Sequence, residues 1–209
     1  MDLNLFTKLP LMGILRGITV EAIEPLAETI ISSGLQTIEV TMNTANAPAL
    51  IKELCRASHG RFTVGAGTVL NLQELHAALN AGATFIVMPT LVTDVTARCA
   101  RDQIPVFPGA LTPQEIHNAW SAGATMVKVF PSKFFGPSYF SEIRGPFQDV
   151  KLLACGGITP KNIGSYIACG AAATSFGASI FKPTWITASA WGQIETTIKE
   201  LITAYQASI

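Results

Sequence analysis

Charge is what this 209-residue chain has least of. Only 13% of its residues are charged, 14 basic and 14 acidic, so the formal net charge is zero. Without a basic excess, a nucleic-acid partner is not expected. Long hydrophobic runs are missing as well: no stretch of 18 apolar residues is present to span a membrane. The opening MDLNLFTKLP lacks the basic and apolar regions of a secretory signal, so a cytoplasmic protein is expected. The four cysteines (Cys55, Cys99, Cys155, Cys169) form no CxxC pair and read as reduced thiols. The three histidines (His59, His76, His117) fall in helical or loop stretches, and no cluster of His and carboxylate has metal-ligand spacing. Neither a metal nor another cofactor is expected.

What is present is a repeating alternation. Eight short β-rich segments recur: LMGILRG at 11, TIEVTM at 37, FTVGAGT at 62, FIVMP at 85, PVFPG at 105, MVKVFP at 126, KLLACGG at 151 and AATSFGAS at 172. Their starts lie about 20 to 26 residues apart, the length of one strand, one helix and two short loops. The strands are nearly continuous apolar runs, as expected of a parallel sheet covered by helices. Gly34, Gly82, Gly123 and Gly170 each stand where a helix should end before a strand. Thr112-Pro113 with Glu115, and Thr159-Pro160, mark helix starts. Ala188 to Ala207 reads as a closing helix. With 49% hydrophobic residues and no linker, the chain is expected to form a single compact (β/α)8 TIM barrel over residues 1–209. An open doubly wound sheet is the alternative, although no GxGxxG follows the first strand.

In such a barrel the chemistry sits at the C-terminal ends of the strands. Lys128 lies in the middle of the apolar run MVKVFP. Burial disfavours a charged amine, and a neutral amine attacks ketones to form Schiff bases. The other reading is a lysine that reaches out to solvent or pairs with a buried carboxylate. In TIEVT, Ile38 and Val40 share one face and suit the helices, which sends Glu39 toward the barrel axis. There it is either an acid–base group with a raised pKa or half of a structural ion pair. Arg16 at the exit of the first strand can clamp a carboxylate or phosphate, or pair with a loop acid. Gly65 and Gly67 of GAGT offer close backbone approach to a ligand, next to the Thr68 hydroxyl. The last two strand ends carry Cys155, Gly156 and Gly157, and then Gly177, Ala178 and Ser179. Two glycine loops at this pair of strands point to a phosphate site.

The segments ILRGIT, IEVTMNT, VGAGTVL, FIVMP, VKVFPSKFFGP and GGITPKN, in this order, resemble the 2-keto-3-deoxy-6-phosphogluconate (KDPG) aldolases and their phosphogalactonate relatives. The likeness runs from Leu9 to about Phe181. It implies a metal-free (β/α)8 enzyme acting on a phosphorylated sugar acid, usually as a homotrimer. By resemblance Lys128 is the Schiff-base lysine and Glu39 the catalytic glutamate. Thr68, Pro89 and Phe130 shape the pyruvate pocket, and Gly156, Gly157 and Ser179 hold phosphate. One departure from the phosphogluconate pattern, EVTxRT, is the EVTMNT of this chain, which puts Asn43 where that arginine stands. The phosphogalactonate branch has an asparagine there and an LPLxxILRGIT opening, so Arg16 supplies the cation instead. Cys155 also stands where the gluconate branch tends to have threonine. These differences favour the phosphogalactonate substrate, with the phosphogluconate epimer and 2-keto-4-hydroxyglutarate as alternatives. A phosphosugar isomerase, or a non-catalytic phosphosugar-binding barrel, is the more distant reading.

Overall fold

A computed structural model describes residues 1–209. Its sheet consists of nine parallel segments: β1 (Leu11–Leu15), β2 (Thr37–Thr41), β3 (Thr63–Gly67), β4 (Ile86–Val87), β5 (Val106–Phe107), β6 (Gly109–Ala110), β7 (Val127–Val129), β8 (Leu152–Cys155) and β9 (Ala173–Phe176). Their spatial order is β5-β4-β3-β2-β1-β9-β8-β7-β6. Only Pro108 separates the two ends of that series, so the ring closes through one interrupted strand. Eight strands were expected, and the ninth segment is this break. Proline has no N–H to continue a ladder. β5 therefore pairs back to β4, while β6 pairs forward to β7, where Gly109 lies opposite Lys128. The (β/α)8 expectation holds, and the open doubly wound alternative does not.

The helices are α1 (Leu3–Phe6), α2 (Ile23–Ser33), α3 (Ala47–Ala57), α4 (Leu72–Asn80), α5 (Thr93–Arg101), α6 (Pro113–Ser121), α7 (Ser138–Arg144), α8 (Ile163–Ala168), α9 (Pro183–Thr187) and α10 (Trp191–Gln206). None is long and apolar enough to cross a membrane. The four helix-ending glycines all take positive φ. Thr112 and Glu115 form the reciprocal capping box that the sequence announced. The closing helix starts three residues later than expected, because Ser189 takes a left-handed φ of 51 between α9 and α10. At Thr159-Pro160 the chain makes a turn, in which the Asn162 side chain accepts from the Thr159 N–H at 2.8 Å, and α8 starts only after Asn162.

Alternation along the strands builds two cores. Outward residues such as Leu15, Ile38, Val40, Val127 and Val129 join a cluster of 51 buried side chains between sheet and helices. Inward residues Met12, Phe85, Val87, Phe107, Met126, Leu153, Ala173 and Cys155 form a second cluster inside the barrel. Phe6 of α1 plugs this cluster, meeting the Phe107 ring edge-on at 5.9 Å between centroids.

Closure at the broken strand demands a glycine. A Cβ built on Gly109 would lie 2.1 Å from the Pro89 carbonyl oxygen, a backbone atom that cannot step aside. Gly109→Ala is expected to destabilise the fold by at least about 3 kcal/mol. That should lower the midpoint of a thermal melt by roughly 6 to 12 °C. A melting curve within a degree of the parent would show that the two backbones can part freely.

Candidate active site

Arg16, Glu39, Thr68 and Lys128 stand on, or directly after, β1, β2, β3 and β7. Glu39 projects inward from β2 and is 1% exposed. The room for its carboxyl comes from β3: a Cβ on Gly67 would lie 2.6 Å from Glu39 Cδ. Gly65 makes similar room for the Phe85 ring. These two glycines are therefore packing positions, not the ligand cradle expected from GAGT. Glu39 Oε2 is buried without a hydrogen-bond partner. Burial pushes its pKa up, opposed more weakly by the positive charges of Lys128 and Arg16.

Lys128 enters from β7, buried at 6% exposure among the interior side chains. Its ammonium lies 5.3 Å from the centroid of the Phe130 ring, two residues nearer the mouth. Neither Lys128 nor Glu39 belongs to any of the ion pairs in the protein. The structural ion-pair reading of the two residues therefore fails. Arg16, exposed at the exit of β1, also lacks an acidic partner. Its guanidinium donates only a long 3.5 Å hydrogen bond to Thr68 Oγ1. Thr68 itself adopts φ 56, an uncommon conformation for a β-branched residue and a sign of strain held at this end of the barrel. Beyond β2, Asn43 is exposed in the turn, while Thr44 Oγ1 accepts from the Gly17 N–H at 3.0 Å and ties that turn to the Arg16 loop. Pro89 follows β4, and Phe130 is 38% exposed at the end of β7.

The two glycine loops meet as the sequence implied, by a different device. Gly156 and Gly157 take φ 102 and 80. The Ser179 hydroxyl donates to the Ile158 carbonyl at 2.7 Å, stitching the loop after β9 to the loop after β8. Gly177 packs on Ile14 of β1. No helix starts directly after either glycine loop, so no helix terminus stands at this corner. Ser132 adds a second stitch: its hydroxyl lies 2.9 Å from the Cys155 carbonyl and 3.2 Å from that of Gly156. Ser132 is a site residue that the sequence did not single out; its place directly after VFP was the only signal for it.

A buried carboxyl without a partner, facing an unpaired lysine across a closed barrel, is a specific arrangement. A family profile described as "Aldolase: KDPG and KHG aldolase" matches residues 3–197. The chain belongs to the KDPG and KHG aldolase family. It is 33% identical over 177 residues to the 2-dehydro-3-deoxy-6-phosphogalactonate aldolase of Escherichia coli (strain K12), covering 84% of this chain and 86% of that one. It superposes on the structure of native KDPGal with a TM-score of 0.88, at 30% identity and 96% coverage of both chains. It also matches the KDPG aldolase of Legionella pneumophila, in which pyruvate was captured as a covalent carbinolamine. There the TM-score is 0.85 at 26% identity, over 92% of this chain and 93% of that one. Members of the family are lyases that cleave carbon–carbon bonds. No three His, Cys, Asp or Glu side chains come together anywhere in this chain to hold a metal ion.

Proposed function

We propose that this protein is a class I aldolase that cleaves 2-dehydro-3-deoxy-6-phosphogalactonate to pyruvate and D-glyceraldehyde 3-phosphate. The observation that carries the reading is the buried, unpartnered Glu39 carboxyl, held with a raised pKa within electrostatic reach of Lys128. A group that titrates nearer neutrality can both give and take protons.

The Lys128 amine adds to the C2 ketone, and Glu39 protonates the departing hydroxyl, so that water leaves and a protonated imine forms. The C3–C4 bond then breaks. Its electron pair moves into the imine to make an enamine, while the C4 hydroxyl proton passes to Glu39 through water. Glyceraldehyde 3-phosphate departs with the new carbonyl. Protonation of the enamine at C3 and hydrolysis of the imine release pyruvate and restore the amine. Thr68, Pro89 and Phe130 bound the pyruvate end, with Cys155 inside the barrel beside them. The loops of Gly156, Gly157, Gly177 and Ser179 take the phosphate. Ser179 must turn its hydroxyl from the Ile158 carbonyl to donate to that phosphate. The enzyme works without a metal as a cytosolic homotrimer, a subunit number that light scattering reads directly.

Arg16 and Asn43 carry the choice of epimer, because the two substrates differ only at C4. Arg16 has no acid to neutralise it, which suits a clamp for the substrate carboxylate. Arg16→Ala is expected to lower kcat/KM by about ten- to a hundredfold, the scale of one charge-assisted hydrogen bond. The galactonate epimer should lose most, with the melting curve unchanged. Wild-type preference for the gluconate epimer, together with a kinetically silent Arg16→Ala, would move the enzyme to the phosphogluconate reading.

A further inference from the structure

Lys133 has no part in the steps above, yet it lies against the phosphate corner. It sits in the short helical turn Ser132–Phe134 that follows β7. The Ser132 hydroxyl anchors that turn to the carbonyls of Cys155 and Gly156. This anchoring lays the Lys133 stem across Gly157. A Cβ built on Gly157 would fall 2.8 Å from Lys133 Cβ, 3.6 Å from its Cδ and 3.7 Å from its Cγ. The stem thus runs along the loop proposed to take the substrate phosphate. Its ammonium belongs to no ion pair. It rests 5.1 Å from the centroid of Phe134, a ring that is itself 72% exposed. A cation over an exposed ring is weakly held, so the ammonium is free to turn to a stronger partner.

A phosphate monoester is such a partner. Its second pKa is near 6, so at neutral pH it carries nearly two negative charges. A cradle made of backbone N–H groups offers it only partial charges. Lys182, which follows the loop after β9, is held closer to an aromatic face, 3.8 Å from the Trp185 ring centroid. We infer that Lys133 is the cation of the phosphate site: its ammonium leaves the Phe134 ring and pairs with the phosphate dianion on the Gly157 loop, so that this enzyme selects phosphorylated aldehydes over unphosphorylated ones. The inference rests on the aldolase reading and names the residue that sets its specificity for phosphate.

The condensation direction isolates this effect, since pyruvate carries no phosphate. Lys133→Met keeps the stem over Gly157 and removes the charge; Lys133→Arg returns a charge. Lys151→Met, at the opposite end of β8, controls for the change in net charge. Lys133→Met is expected to raise KM for glyceraldehyde 3-phosphate about tenfold. It should leave kcat, KM for pyruvate and the rate with unphosphorylated glyceraldehyde unchanged, and flatten the salt dependence of KM. Lys133→Arg should recover most of the loss, and Lys151→Met should behave as wild type. An unchanged KM for glyceraldehyde 3-phosphate in an active Lys133→Met enzyme overturns the assignment. So does an equal loss with both aldehydes. If the wild type forms no aldol product, the aldolase reading falls instead, and inorganic phosphate alone then tests Lys133. Phosphate should raise the melting temperature of the wild type and not of Lys133→Met; equal protection of both overturns the assignment.

Discussion

Borohydride added to the wild-type protein with pyruvate is expected to leave one stable adduct, on the peptide that holds Lys128. In Lys128→Met the adduct should vanish, and cleavage should fall by at least about ten-thousandfold, the scale of losing a covalent nucleophile. The physical ground is the position of the amine. Lys128 is 6% exposed, faces the barrel interior and belongs to no ion pair, so nothing structural requires its charge. Methionine has a similar stem and carries no charge to desolvate, and a charge buried without a partner is itself destabilising. The melting temperature of Lys128→Met should therefore equal or exceed that of the wild type. An adduct on another lysine, or cleavage that survives in Lys128→Met, would remove Lys128 from the mechanism. A collapse in stability with the loss of activity would point to a structural lysine.

Glu39→Gln carries the second-largest expected effect. Glutamine fits the space beside Gly67 but cannot exchange a proton with the substrate. Cleavage should fall by at least about a hundredfold while pyruvate trapping on Lys128 stays measurable. Stability should move the opposite way, and the sign follows from the raised pKa. Below the ordinary carboxylate value of 4.5, Glu39 is protonated in both the folded and the unfolded chain. Burial then carries no ionisation penalty. As pH rises through the raised folded value, that advantage is lost, because the unfolded chain ionises freely and the folded one does not. Between those two values wild type should lose stability relative to Glu39→Gln, and at pH 8 the variant should melt at the same or a higher temperature. Near-normal turnover in Glu39→Gln would hand the proton transfer to water. A lower melting temperature at pH 8 would mean the buried carboxylate is satisfied by a partner.

Some features of this protein are local and were legible in the chain. Strand alternation placed Glu39 opposite in parity to Ile38 and Val40, and the structure sends it inward as that parity demands. The helix-ending glycines and the Thr112 cap depend on backbone geometry within a few residues, which residue type alone selects. An apolar run around Lys128 was enough to predict a buried amine. The other features depend on which segments meet across the barrel, and spacing along the chain does not encode that. Pro108 breaks the fifth strand, but only the closed ring shows that its two halves pair with different neighbours. Gly67 looked like a ligand-binding glycine until the Glu39 carboxyl took its space from the adjacent strand. Ser179 looked free to meet a phosphate, and the loop after β8 captured its hydroxyl. Lys133 was one more surface lysine until Ser132 fastened its turn to β8 and drew its stem over Gly157. Periodicity and punctuation determine the elements and the faces they bury. Long-range register, set when the ring closes, decides which side chains share a pocket.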